Sequence, residues 1–182
     1  MNPIFAQAVG IVAMFFFVFS YQQKKAKSII AWQMIGGLLF SVNFLLLGEY
    51  IGAMLNFIGF IRAVLFLKKD KLHTDSIGWL VGFTLAYLGA YALTFTVFGT
   101  EPTLPNFILQ CCPVLGMFFQ HLGLRHEDTR KIRMFCLVGS VAWLIFNSVV
   151  VAIGAILCET FNIISIFVAM ARFNRKKPEE VS

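Results

Sequence analysis

Residues 23 to 69 read QKKAKSIIAWQMIGGLLFSVNFLLLGEYIGAMLNFIGFIRAVLFLKK. Two apolar runs, 29 to 47 and 51 to 67, are separated by the three residues Gly48 to Tyr50, and lysines close both ends. A bilayer core of about 30 Å takes roughly 20 helical residues to cross. The stretch therefore predicts a helical hairpin that enters the membrane beside one set of lysines, turns tightly on the far side and returns to the other set. Strands are excluded because the runs lack the alternation of a barrel strand, and lipid offers backbone groups no partner outside a helix or closed barrel.

The rest of the chain follows the same pattern. Of its 182 residues 59% are hydrophobic and 13% charged, against roughly 45 to 50% and about 25% in ordinary soluble domains. Apolar runs at 3 to 19, 29 to 47, 51 to 67, 76 to 98, 105 to 121, 134 to 150 and 152 to 171 predict an all-α membrane protein of seven spans. Pro3 and Pro105 fall where a first helical turn accepts proline, and Pro113 is expected to kink the fifth span. No basic segment precedes the first span, which is expected to remain a mature helix. Cys111, Cys112, Cys136 and Cys158 lie at membrane depth without CxxC spacing, so they predict packing residues and no zinc site or disulfide framework.

The net charge of +6 does not mark a nucleic-acid patch, because the basic residues are dispersed. Lys24, Lys25 and Lys27 follow span one; Lys68, Lys69 and Lys71 span three; Arg125, Arg130, Lys131 and Arg133 span five; Arg172, Arg175, Lys176 and Lys177 span seven. All fall on one side, which the positive-inside rule makes cytoplasmic, with the N-terminus outside and the C-terminus inside. Tyr21, Trp32, Trp79 and Tyr50 are expected in the interfacial belt. The exception among the 15 basic residues is Arg62, inside span three.

A shift of 103 lays QAVGIVAMFF (7 to 16) on QCCPVLGMFF (110 to 119) and Gly36 on Gly139. With small shifts in the loops, Asn43 matches Asn147 and IGA at 51 to 53 matches IGA at 153 to 155. Each block reads helix, basic loop, helix, short turn, helix, basic end. Two such units in parallel orientation need one extra helix between them, and the span at 76 to 98 supplies it. The expected organisation is repeat 1 at residues 1 to 72, a linker helix within 73 to 104, repeat 2 at 105 to 177 and a tail at 178 to 182. This plan resembles the SWEET and PQ-loop transporters, whose two parallel three-helix repeats enclose a solute site near the midplane. The Pro-Gln dipeptide of a PQ-loop is replaced here by Tyr21 and Gln22, and by Gln120 and His121. Residues 23 to 66 look like the signature of the YgjV-type bacterial inner-membrane family, a resemblance that implies a location and names no substrate.

Polar residues at membrane depth are the candidate site. In the third span Gly52, Asn56, Gly59 and Ala63 form one stripe; in the seventh, Ala155, Glu159, Asn162 and Ala169 form a comparable one. Asn56 and Asn162 have two readings: interhelical hydrogen bonds, worth about 0.6 to 2 kcal/mol each, or contacts to a solute, as the SWEET resemblance implies. Trp143 is either core or a platform for a sugar-like or heterocyclic ring. Glu159 lies roughly 10 Å below the outer end of its span, and at that depth it must be paired, wet or protonated. Arg62 either snorkels to the cytoplasmic face or pairs with Glu159, depending on how the two repeats are registered.

These residues predict a transporter or facilitator of a small polar solute, with Asn56, Arg62, Trp143, Glu159 and Asn162 at its site, the lipid bilayer around it and no cofactor. The competing reading is a membrane scaffold whose polar residues only fasten helices. An enzyme is disfavoured, since His73, His121 and His126 are expected in cytoplasmic loops and no nucleophile or HExxH spacing occurs. No oligomer is required, because seven helices can enclose a pathway alone.

Overall fold

A computed structural model describes residues 3 to 149 and 153 to 174. The described residues form eight helices and no strands: α1 Pro3–Ser20, α2 Ala26–Leu47, α3 Tyr50–Leu67, α4 Lys69–Leu72, α5 Ile77–Thr96, α6 Leu104–Leu124, α7 Thr129–Val149 and α8 Ile153–Asn174. Six of them, α2, α3, α5, α6, α7 and α8, are long and apolar enough to cross a membrane. The apolar stretch of α1, Ile4–Ser20, has 17 residues, about 26 Å of helix.

Local signals account for the ends. The turn between α2 and α3 closes on Gly48, whose φ of 81° belongs to the left-handed region, and Glu49 N–H returns to the Phe44 carbonyl at 2.9 Å. Pro3 opens α1, Pro105 lies in the first turn of α6, and Thr103 caps α6 by accepting from Asn106 N–H. α6 continues unbroken through Pro113.

Helices α1, α2 and α3 pack in series, as do α6, α7 and α8. α5 lies against α3 and α6 through the stripe Phe83, Tyr87, Ala90 and Thr94. The two groups meet where α1 touches α8 and where α3 touches α6. Close approach within each group uses a glycine on its second helix. A Cβ on Gly36 would lie 3.2 Å from the Ala13 carbonyl oxygen, and one on Gly139 would lie 2.9 Å from that of Gly116. Outward faces carry Phe5, Phe15, Leu85, Ile108, Ile145 and Phe167, all more than half exposed. Such a surface is stable only in lipid.

Three expectations change at the basic end and one nearer the opposite end. α7 starts at Thr129, five residues before the predicted span, because Arg133 is buried there and donates to the carbonyls of Tyr21 and Gln23 and to Thr129 Oγ1. Tyr21 is fully buried among Ile29, Ile132 and Ile166 and does not join an interfacial belt. His121 is not in a loop: it is fully buried within α6, edge-on to Phe66 at 5.2 Å. Cys136 and Cys158 are buried as expected, but Cys111 is exposed on the outer face of α6.

Candidate functional site

The side-chain hydrogen bonds joining the two groups gather from mid-depth to the basic end. Arg62 on α3 reaches α6; Ser165 on α8 donates to the Val18 carbonyl at 2.8 Å and accepts from Gln22 Nε2 at 2.8 Å. At the surface, Lys69 donates to the Arg125 carbonyl and to Glu127. Nearby, Lys27 donates to Asp70 at 2.8 Å and holds its carboxyl below the usual carboxylate range.

Beyond Arg62, away from the basic end, the groups separate around an internal cavity of about 30 Å³, with a second of about 20 Å³ beside it. Phe17, Asn56, Met117 and Gln120 line both. A water needs about 10 to 15 Å³ by this measure, so the larger space holds about two. A sugar ring does not fit without an opening movement.

Eight side chains of the larger cavity's wall form four pairs: Phe17 and Gln120, Phe40 and Trp143, Phe44 and Asn147, Asn56 and Glu159. The members of every pair are 103 residues apart in the chain. The first member is aromatic in three of the four, whereas the second members bring two amides, an indole and a carboxylate.

Of the five candidate residues, Asn56, Trp143 and Glu159 line the larger cavity and Asn56 and Arg62 the smaller. Asn162 is on neither wall, but its Nδ2 donates to Glu159 Oε2 at 3.2 Å, and it is 2% exposed. Asn56 Nδ2 donates to the Gly52 carbonyl of its own helix at 2.8 Å.

Arg62 takes neither of its two expected courses. It is 4% exposed, so it does not snorkel. The ion pairs among the described residues are Lys27–Asp70 and Lys69–Glu127, which places Arg62 and Glu159 beyond 4.0 Å of each other. Its Nη1 donates to Tyr87 Oη at 3.0 Å and to the Met117 carbonyl at 2.8 Å, and Nη2 to Gln120 Oε1 at 3.3 Å. Neutral acceptors on α5 and α6 thus hold a charge that a planar, five-donor guanidinium can share among them.

Gln120 and Asn147 line the larger cavity and Tyr87 holds Arg62, and none of the three stood out as a candidate in the sequence. Gln120 reads as the end of a span, Asn147 as the counterpart of Asn43, and Tyr87 carries no signal of its own. The 103-residue spacing from Phe17 and Phe44 is the signal that marks the first two.

The sequence matches the Imp-YgjV family, bacterial inner membrane protein, over residues 4–177. The chain belongs to this family. No curated protein and no solved structure matches it. As an Imp-YgjV protein with several apolar spanning helices it is a multi-pass protein of the bacterial inner membrane.

Proposed function

We propose that the chain is a transporter or facilitator of a small polar solute, not an enzyme, with a site between two parallel three-helix repeats. The repeats are residues 1 to 72 and 105 to 177, joined through the linker helix within 73 to 104, as in the SWEET plan. The N-terminus is outside and the C-terminus cytoplasmic. One observation carries this reading: a cavity inside a membrane protein is walled by four pairs of side chains at one constant spacing of 103 residues. A constant spacing is what a site on the axis between two repeats produces. An ionisable group such as Glu159 is costly at that depth, and where one occurs it commonly marks a pathway. Hydrogen bonds concentrated toward the basic end close the cavity from the cytoplasmic side.

The scaffold reading draws its support from Asn56, whose amide bonds within its own helix, and from Arg62, whose donors find protein acceptors. A metabolite screen by thermal unfolding separates the two, since a ligand that binds only the folded state raises its apparent stability. Compounds that raise the melting temperature are then followed in proteoliposomes. Expected is solute flux that Asn56→Ala and Glu159→Gln each abolish while both proteins still insert and fold. Normal flux in both variants refutes the site, and a screen without stabilising compounds favours the scaffold.

A further inference from the structure

The chemistry unmet at the cavity identifies what it takes. Glu159 has no basic partner within 4.0 Å; it accepts from the Asn162 amide at 3.2 Å, and the Ser140 hydroxyl lies beside it. That bond fixes the orientation of Asn162, whose own Oδ1 is then a buried acceptor without a donor. Asn147, 2% exposed and on the cavity wall, likewise has an Oδ1 without a donor. A carboxylate without a basic partner and the orphaned Asn147 oxygen, backed by a second orphaned oxygen on Asn162 behind the wall, make an acceptor-rich place that lacks positive charge. Phe17, Phe40 and Phe44 face these groups across the same space, and Trp143 stands beside Asn147 on its own helix. Ring faces attract cations.

From these observations we infer that the larger cavity is a binding site for a small protonated amine. The ammonium group rests against Glu159 and the Asn147 oxygen, and its alkyl part lies among the rings. An ammonium supplies both the missing charge and up to three donors, and a molecule of a few heavy atoms fits the volume of about 30 Å³. An anion meets the carboxylate, and the Arg62 Nη atoms that could offset it are engaged by Tyr87, Met117 and Gln120. A neutral sugar meets three phenyl rings in a space too small for it. Arg62, on the basic-end side of the cavity, repels the cation and so marks the inner limit of the site. This inference rests on the proposed solute site and narrows its substrate class.

The test uses the purified full chain in detergent at fixed ionic strength. Thermal unfolding is followed while ethylammonium chloride is titrated, with ethanol as neutral analogue, propionate as anion and potassium chloride as bare cation. Expected is a saturable rise in melting temperature with ethylammonium alone. Glu159→Gln should weaken the apparent affinity at least about tenfold, and Glu159→Asp should retain it. Should Glu159→Gln fail to fold, Asn147→Leu provides the same comparison, because it removes an orphaned oxygen and leaves the carboxylate in place. An equal rise with ethanol or potassium, or an undiminished rise in the variants, overturns the amine. Stabilisation by glycerol but not by any amine overturns it too, while leaving a solute site standing. Binding of ethylammonium without counterflow of labelled methylammonium in liposomes supports the amine site and refutes transport.

Discussion

At the cavity the first three-helix group presents Phe17, Phe40 and Phe44, whereas the second presents Gln120, Trp143 and Asn147 at the corresponding places, 103 residues on. The backbone frame is alike on both sides: in each group a glycine of the second helix faces a carbonyl of the first, Gly36 against Ala13 and Gly139 against Gly116. What differs is the finish. The first wall is complete as packed aromatic core, with Phe17 and Phe40 rings 5.6 Å apart and Phe40 and Phe44 6.1 Å apart. The second wall retains unused hydrogen-bonding capacity. Under the proposed function the two walls divide the labour of a site, one excluding water and the other meeting a ligand.

Arg62 is where that comparison breaks with the largest expected effect. The position 103 residues on is Ser165, and both reach the first helix of the other group, Arg62 at the Met117 carbonyl and Ser165 at the Val18 carbonyl. A hydroxyl makes a neutral bond there; a guanidinium makes three charge-assisted ones. At roughly 1.5 to 3 kcal/mol each, these outweigh the roughly 2.5 to 3.5 kcal/mol for placing an arginine at membrane depth. Arg62→Met should therefore destabilise by roughly 2 to 5 kcal/mol, and Ser165→Ala by only about 1. Equilibrium unfolding in detergent or bicelles reads both. A more stable Arg62→Met protein would show that desolvation wins and that the arginine is kept for function alone.

The next effect lies in how the second wall accommodates its larger ring. Ala13 lies in the cluster with Phe40, while the matching positions hold Gly116 and Trp143. The indole occupies the room that a methyl group would take: a Cβ on Gly116 would be 2.6 Å from Trp143 Cδ1 and 3.2 Å from the Gly139 carbonyl oxygen. Gly116→Ala should cost about 1 to 3 kcal/mol through overpacking. Adding Trp143→Phe reproduces the pairing of the first wall and should recover much of that loss, so the double-mutant cycle should show coupling above about 0.5 kcal/mol. Additive effects would mean that the two walls do not share one packing scheme.

The helices were legible in the sequence because hydropathy over some 20 residues is a sum, and lipid leaves the backbone no alternative to helix. Pro3, Pro105 and the turn at Gly48 were legible because each acts on its own few residues. What escaped depends on partners far along the chain. Arg133 and His121 read as loop residues, since nothing near them reveals the carbonyls of Tyr21 and Gln23 or the rings of Phe66 and Phe83 that surround them. Arg62 stood out as anomalous, but its acceptors come from α5 and α6, 25 to 58 residues on. The sequence left open how the third helices α3 and α8 correspond, and in the cavity Asn56 and Glu159 stand at the 103-residue spacing.

The smallest expected difference separates the two asparagines that look alike in sequence, Asn43 and Asn147. Asn43 Nδ2 donates to the Ala6 carbonyl at 2.6 Å, and the amide packs against Gly10, so it fastens α2 to α1. Asn43→Ala loses that bond and leaves a buried carbonyl unpaired, which should cost about 1 to 2 kcal/mol. Asn147 is equally buried, yet its oxygen has no donor. Asn147→Leu removes an unsatisfied polar atom, keeps the branching of the side chain and places its larger methyl groups toward the cavity, so it should be neutral or stabilise by up to about 1 kcal/mol. Thermal unfolding without added ligand compares the two substitutions directly. A residue whose removal stabilises the empty protein is kept for something the empty protein does not do. The same Asn147→Leu protein should then gain less from ethylammonium than the unaltered chain. Equal losses at Asn43 and Asn147 would make both asparagines fasteners and leave the carboxylate alone to define the polar wall.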